Sequence, residues 1–323
     1  MRVNLRAIPV VTNNTCTVLH THCPLLVSLN LSRCPNIDAF GVALLTGRAS
    51  TQIAHLQGGP LPPPRPMKAL RLAGLQSIDD DFVDALACGM PLLQILDLSG
   101  CKSLTDDHLR SFVTIPPPTA DNPHLPVRTV ALTSREMGHD PASSTVYYRR
   151  LTSLRHVNLS SCSHLTHAGL AHLTHTMPRL EFLEVAGFGP RMRDEGIVKL
   201  LETTPGLRKL DLDSATEITD ATLGALTPDE DGMGTGSRLE HLVLSYVARV
   251  TADGMLRVVR GCKKLRVLEA DVSRIHLLFI SPWADRFLFS SQNTRVSDPV
   301  VKDFVRLAAS RRTLKAEITV TDS

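Results

Sequence analysis

Aromatic side chains are scarce in this chain: nine phenylalanines, three tyrosines and one tryptophan among 323 residues. Aliphatic side chains must therefore fill the interior. An excess of charge is also missing, with 35 Lys+Arg against 32 Asp+Glu and a net charge of +3. That balance is too mild to point to nucleic acid or an anionic membrane as a partner. No apolar run reaches the roughly 18 residues of a membrane-spanning helix. The N-terminus, MRVNLRAIPVV, has neither the long apolar core nor the cleavage site of a secretory signal. The cysteines number seven, an odd count, and form no Cys-x-x-Cys pair. This usage fits a reducing compartment, cytoplasmic or nuclear, better than a disulfide framework.

What the chain has instead is a phrase of about 26 residues that recurs along it, and such a period determines the architecture. The clearest copy begins at Leu154, LRHVNLSSCSHLTHAGLAHLTHTMPR. Further copies begin at Leu26, Met67, Leu93, Leu180, Leu207, Leu239 and Leu265. Counted from those residues, positions 1, 4 and 6 are leucine-like and alternate as in a short strand with one buried face. Apolar pairs three apart follow, such as Val42/Leu45, Leu109/Phe112, Leu170/Leu173 and Met255/Val258, and these predict a helix. Thr105-Asp106, Thr219-Asp220 and Thr251 supply capping oxygens for the orphan N–H groups of the helix starts. Pro24, Pro91, Pro178 and Pro205 mark the exits. Cys34, Cys101 and Cys162 occupy position 9, Cys16 an apolar helix position, and Cys23 and Cys262 the helix ends, all as small buried hydrophobes. Cys88 has no place in the repeat and is the best candidate for an exposed thiol.

Each copy is thus a strand, a turn and a helix. The expected fold is α/β, a curved solenoid of about ten repeats over residues 1–323, with parallel strands on the concave face and helices on the convex face. Val3-Asn4-Leu5 resembles a strand end, so the chain begins inside a repeat. The expectation is that residues precede it or that a partner covers that end. Four insertions interrupt the pattern, at 46–66, 115–126, 228–237 and 274–295. After the second, a weak copy is expected at Val127, with Val130 and Leu132 in its strand and Asp140-Pro141 opening a helix. GMGTG in the third is not a phosphate loop, because it does not join a strand to a helix with the needed lysine. The fourth, around Phe279, Trp283 and Phe287, is apolar. It is a cap folded back on the solenoid, a partner-contact loop, or an artefact of splicing. Val296 to Pro299 and Val301/Phe304 resume the pattern, and Leu314 and Ala316 suggest a closing strand.

LQILDLSGCKSLTDDHL and LRHVNLSSCSHLTHAGL, with their Cys-Pro or Met-Pro exits, resemble the cysteine-containing class of leucine-rich repeat. That class is typical of F-box/leucine-rich-repeat proteins. Similar repeats occur in the antagonist of the mitotic exit network and in a Rad7-type repair ligase subunit. The resemblance implies a protein-recognition scaffold, the substrate-binding part of an SCF-type ubiquitin ligase, with Skp1 and cullin as partners if an F-box lies upstream; none is recognisable within the sequence. The alternative is a scaffold or regulator outside any ligase.

Alternation on the strands directs positions 3, 5 and 7 away from the core. Position 5 includes Asp97, Asn158, Glu184, Asp211 and Glu269, and position 7 includes Asp213 and Asp271. The candidate partner site is this concave surface, acidic toward the C-terminal half and suited to a basic segment, with Phe182 and Tyr246 as apolar anchors. No nucleophile–base–orienter set stands out, so no enzymatic activity and no cofactor are expected. His164, His167, His172 and His175 do not converge on the repeat template, so no metal site is expected either.

Overall fold

The computed structural model describes residues 1–46, 64–118, 128–228, 234–272, 275–280 and 288–290. They divide into two compact units, Met1–Leu180 and Glu181–Ser323. In the first unit, strands β1 (Arg2–Asn4), β2 (Ser28–Asn30), β3 (Ala69–Arg71), β4 (Ile95–Asp97) and β8 (His156–Asn158) pair in parallel. Helices α1 (Asn13–His22), α2 (Ala39–Thr46), α3 (Asp80–Gly89), α4 (Asp106–Val113) and α5 (His167–His172) pack one on the next. In the second unit, β9 (Phe182–Glu184), β10 (Lys209–Asp211), β11 (His241–Val243) and β12 (Val267–Val272) are parallel. They alternate with α6 (Asp194–Glu202), α7 (Asp220–Leu226) and α8 (Ala252–Gly261).

Register follows the repeat. Asn4, Asn30, Arg71, Asp97 and Asn158 face one another across the first unit, and Glu184, Asp211, Val243 and Glu269 across the second. Leu29, Leu70, Leu96 and Val157 at position 4, and Leu31, Leu72, Leu98 and Leu159 at position 6, are all buried. So are their counterparts Leu183, Leu210, Leu242 and Leu268. One aliphatic face per strand, covered by helices, makes each unit a leucine-rich-repeat solenoid of α/β class. Among the described residues no helix is long and apolar enough to cross a membrane.

Three polar devices repeat with the leucines. At position 8 eight copies turn through the left-handed region: Ala7, Arg33, Ser161, Ser214 and Tyr246 have φ of 58–61°, and Gly74, Gly100 and Gly187 join them. The position-9 cysteines donate backward, Cys34 Sγ to Leu5 O (3.0 Å), Cys101 to Leu72 O (3.4 Å) and Cys162 to Leu98 O (3.2 Å). Each thiol thus satisfies the carbonyl of the preceding strand's end, and burial pushes Cys101 and Cys162 up to about 11 and about 12. The third device links the helices. The first helical residue of one repeat bonds the N-cap of the next: Asp106 accepts from Thr166 N (2.9 Å) and Oγ1 (2.6 Å), and Asp220 from Thr251 N (2.9 Å) and Oγ1. Asp194 accepts from Thr219 N (3.0 Å) and Oγ1 (2.7 Å) and from Thr222 N (3.3 Å) and Oγ1 (2.6 Å). The expected caps Thr105, Thr219 and Thr251 all serve their own helices as well.

Two expectations fail. The weak copy at Val127 is not a repeat. Val130 and Leu132 lie in β6 (Thr129–Thr133), which pairs antiparallel with β7 (Val146–Arg150), and β7 pairs with β5 (Thr114–Ile115). Asp140 and Pro141 sit in turns between β6 and β7, and no helix opens there. The β-rich run Val146-Tyr147-Tyr148 offers a nearby antiparallel partner, so this segment forms a separate three-stranded insertion while β4 pairs directly with β8. Cys88 is not an exposed thiol: it is half-buried, burial raises its pKa, and Arg150 Nη1 lies 3.4 Å from its sulfur. Beyond β12 the chain turns back as β13 (Ile275–Ile280), antiparallel to β12, with Phe279 opposite Leu268, and β14 (Leu288–Ser290) follows. Trp283, Phe287, and the pattern expected from Val296 through Ala316 lie outside the described residues.

The helix-start links leave no room beside them. A Cβ on Gly254 would stand 2.2 Å from Asp220 Oδ1, and one on Gly169 2.4 Å from Asp106 Oδ1. Gly254→Ala is therefore expected to destabilise the protein by about 1–3 kcal/mol, the range for forced overpacking. The loss should shrink in an Asp220→Ala background, where the obstructing carboxylate is gone. Denaturant melts of the double-mutant cycle check this. A second outcome concerns Asp194. Burial, the largest single influence, raises its pKa, but the bonds from Thr222 and Thr219 together outweigh it and hold the carboxyl below its ordinary 3.8. Its stabilisation is then complete above the unfolded value and lost as pH falls through the folded one. Asp194→Ala should cost about 1–3 kcal/mol at pH 7, with the gap to the parent protein closing below pH 4 in melts across that range.

Candidate functional site

The residues expected to form the partner surface fall in both units. Asp97 and Asn158 lie on the strand face of the first, and Phe182, Glu184, Asp211, Asp213 and Glu269 on that of the second, all half-buried. Asp271 lies in β12, with its backbone opposite His276. Tyr246 stands at the left-handed position just beyond β11, 59% exposed. Phe279 is in β13, and Trp283 and Phe287 are outside the described residues.

Position 5 has a local task. An Asx side chain there accepts the backbone N–H two residues on: Asn30 from Ser32 (3.0 Å), Asp97 from Ser99 (3.0 Å), Asn158 from Ser160 (3.0 Å) and Asp211 from Asp213 (3.1 Å). These Asx turns steer the chain from the strand into the left-handed residue at position 8. Asp97 also accepts from Ser99 Oγ at 2.7 Å.

The face of the second unit is less uniformly acidic than its carboxylates alone imply. Lys209 Nζ lies 3.0 Å from Glu184 Oε1, and His241 Nε2 lies 2.8 Å from Glu269 Oε1. Each pair is diagonal, from position 3 on one strand to position 5 on its neighbour, and a basic or imidazole side chain set against a carboxylate at those offsets is the sequence signal for it. On the adjoining edge Arg208 forks onto Glu240 (2.9 and 3.0 Å), and its guanidinium carbon lies 6.0 Å from the Phe182 ring centroid. That cation covers part of the aromatic surface. No ion pair among the described residues takes up Asp211 or Asp213. Burial raises the Asp211 carboxyl above its ordinary value; Glu184 and Asp213 add to this, against the Asp213 N–H and Lys209. A carboxylate held up by burial and like charge gains from an incoming cation.

The histidines do not assemble a site. His167 and His172 begin and end α5, and among the described residues no group of three or more His, Cys, Asp or Glu could hold a metal ion. Sequence reasoning missed Arg128 and Arg150, which frame a cavity beside the antiparallel insertion. Their signal was weak, since neither occupies a repeat position.

Asp211→Asn keeps an acceptor for the Asp213 N–H and removes the half-buried charge. Because the folded pKa of Asp211 lies above its ordinary 3.8, the aspartate's contribution to stability falls as pH rises through the folded value. The asparagine variant should melt together with the parent near pH 4 and above it at pH 7. Tyr246→Gly relieves a left-handed side chain and should stabilise the fold by about 1 kcal/mol. Equilibrium unfolding of both variants checks these outcomes.

No family model matches the chain, and no curated protein matches it in sequence. Among solved structures the chain is similar to that in the crystal structure of the yeast Rad7 and Elc1 complex, with 14% identity over 84% of this chain and 70% of that one, at a TM-score of 0.41. It is also similar to an internalin from Listeria monocytogenes, with 13% identity over 95% of this chain and 71% of that one, at a TM-score of 0.36.

Proposed function

We propose that this protein is a recognition scaffold whose second-unit strand face holds a basic segment of a protein partner. The observation that carries the reading is Asp211: a half-buried carboxyl on an open strand face, crowded by Glu184 and Asp213, with its pKa raised. An arginine or lysine delivered there gains a charge-assisted bond and relieves the crowding. Tyr246, held exposed at a position where three other repeats use glycine, supplies an apolar contact beside it. Strain kept at an exposed aromatic is expected where a side chain is needed for binding.

The setting in which this scaffold works is read from the repeat type. LxxLxLxxC with a capped helix resembles the F-box/leucine-rich-repeat class, and this supports a role as the substrate-recognition arm of an SCF-type ubiquitin ligase, in the cytoplasm or nucleus. On that reading the partner carrying the basic segment is a protein to be degraded, and Skp1 and cullin join through an F-box.

Asp211→Asn combined with Asp213→Lys spares the Asx turn and reverses the local charge. Binding of the partner is expected to weaken about tenfold at low salt and much less at high salt, where screening shortens the reach of the lost charges. Glu202→Lys, on an exposed helix position, is the control. Unchanged affinity in the double variant overturns the site. The ligase setting is tested apart from it, by affinity capture from cells with the longest product of the same locus as bait. Recovery of Skp1 and cullin supports the ligase reading, and their absence favours a scaffold outside any ligase.

A further inference from the structure

An open cavity lies where the antiparallel insertion meets the repeats. Between the end of α3, α4 and the segment running from β7 into β8 lies a cavity of about 200 Å³. Leu86, Met90, Leu93 and Phe112 make the repeat side of its wall apolar, and Arg128 and Arg150 stand on the insertion side. Apolar cavities of about 150 Å³ accept benzene, so the volume suits one ring or a short branched chain.

Both arginines are held by neutral groups. Arg150 Nη1 donates to Ala87 O at 2.5 Å, and its buried Nε–H has no partner among the described residues. Arg128 Nη1 donates to Ser153 Oγ, which donates onward to Pro91 O at 3.2 Å. No carboxylate among the described residues pairs with either guanidinium. The nearest sulfur, Cys88, supplies no counter-charge, since burial raises its thiol despite the opposing pull of Arg150. Both cations thus stand half-buried beside an apolar wall with neutral hydrogen-bond partners and no counter-charge, where an anion would meet two positive charges. A carboxylate suits that place best, because its two oxygens match the guanidinium fork.

We propose that this cavity binds a small ligand with an apolar body and a carboxylate head, the body against Leu86, Met90 and Phe112 and the head on Arg128 and Arg150. The same chemistry is offered by a free carboxylic acid and by the C-terminal residue of a peptide. This site lies in the first unit and is independent of the strand face of the second.

The test is calorimetric titration of the full chain with 3-phenylpropionate, its neutral counterpart 3-phenylpropanol, acetate, and a dipeptide ending in phenylalanine as the free acid and as the amide. At least one apolar acid is expected to bind ten or more times more tightly than its neutral counterpart and than acetate. Binding by the dipeptide acid alone identifies a chain terminus as the source, and binding by 3-phenylpropionate identifies a free acid. Arg128→Gln should weaken the acid about tenfold with the melting temperature retained. Ala87→Leu, which fills the wall, should abolish binding. Arg150 is left in place because it also holds the Ala87 carbonyl. Failure of both acids to bind, equal binding of acid and neutral forms, or indifference to Arg128→Gln overturns the proposal.

Discussion

Stacking in these solenoids turns on a side chain that reaches forward. Asp106, Asp194 and Asp220 each open a helix, yet their carboxylates are spent on the capping threonine of the next one. The bond fixes the spacing of successive helix starts and satisfies an N–H that would otherwise point at its neighbour unpaired. It also constrains a second residue, since at Gly169 and Gly254 the reaching side chain lies so close across the third helical position that a Cβ would collide with it. Thr222 keeps a side chain there by turning its hydroxyl into a further donor to Asp194.

On the strand side the same economy holds. The Asx residue at position 5 turns the chain, position 8 takes the left-handed conformation, and the cysteine at position 9 donates to the carbonyl of the strand before it. Much of what looked like a free polar surface is therefore occupied with building the repeat. Glu184 is ion-paired with Lys209 on the face, Glu269 is in hydrogen-bond contact with His241, and Asp97 is committed to Ser99. Among the described carboxylates of that face, Asp211 and Asp213 have no ion pair.

The strand register, the helix caps and the buried leucines were legible because each is a local rule repeated many times, and repetition averages out drift such as Phe188 or Ala215 at position 9. Legibility fails where a residue acts outside its own copy. Acids such as Asp194 read as ordinary first-turn residues favoured by the helix dipole, and nothing in their own helix names Thr219 as the partner. Alternation at Val130 and Leu132 correctly marks a strand, but alternation carries no information on which strand pairs with it or in which direction. The diagonal pairs Lys209–Glu184 and His241–Glu269 need two repeats aligned side by side before they become visible. Arg128 and Arg150, outside any repeat, had no template to be read against.

The insertion has a consequence for how the first unit assembles. Asp106 and Thr166 must meet across 60 residues, whereas Asp194 and Thr219 meet across 25. Loop-closure entropy grows only with the logarithm of length, so the longer excursion costs about 0.8 kcal/mol more. At so small a thermodynamic penalty, this junction can host a folded appendage that the stack itself does not need. The effect falls on kinetics: contacts across β4 and β8 are the most distant in sequence of any adjacent parallel pair in that unit, and distant contacts close late. The insertion's own hairpin, β6 with β7, is local and can form first, and pairing of β7 with β5 then returns the chain to the fourth repeat, so that the fifth docks on a template already half built.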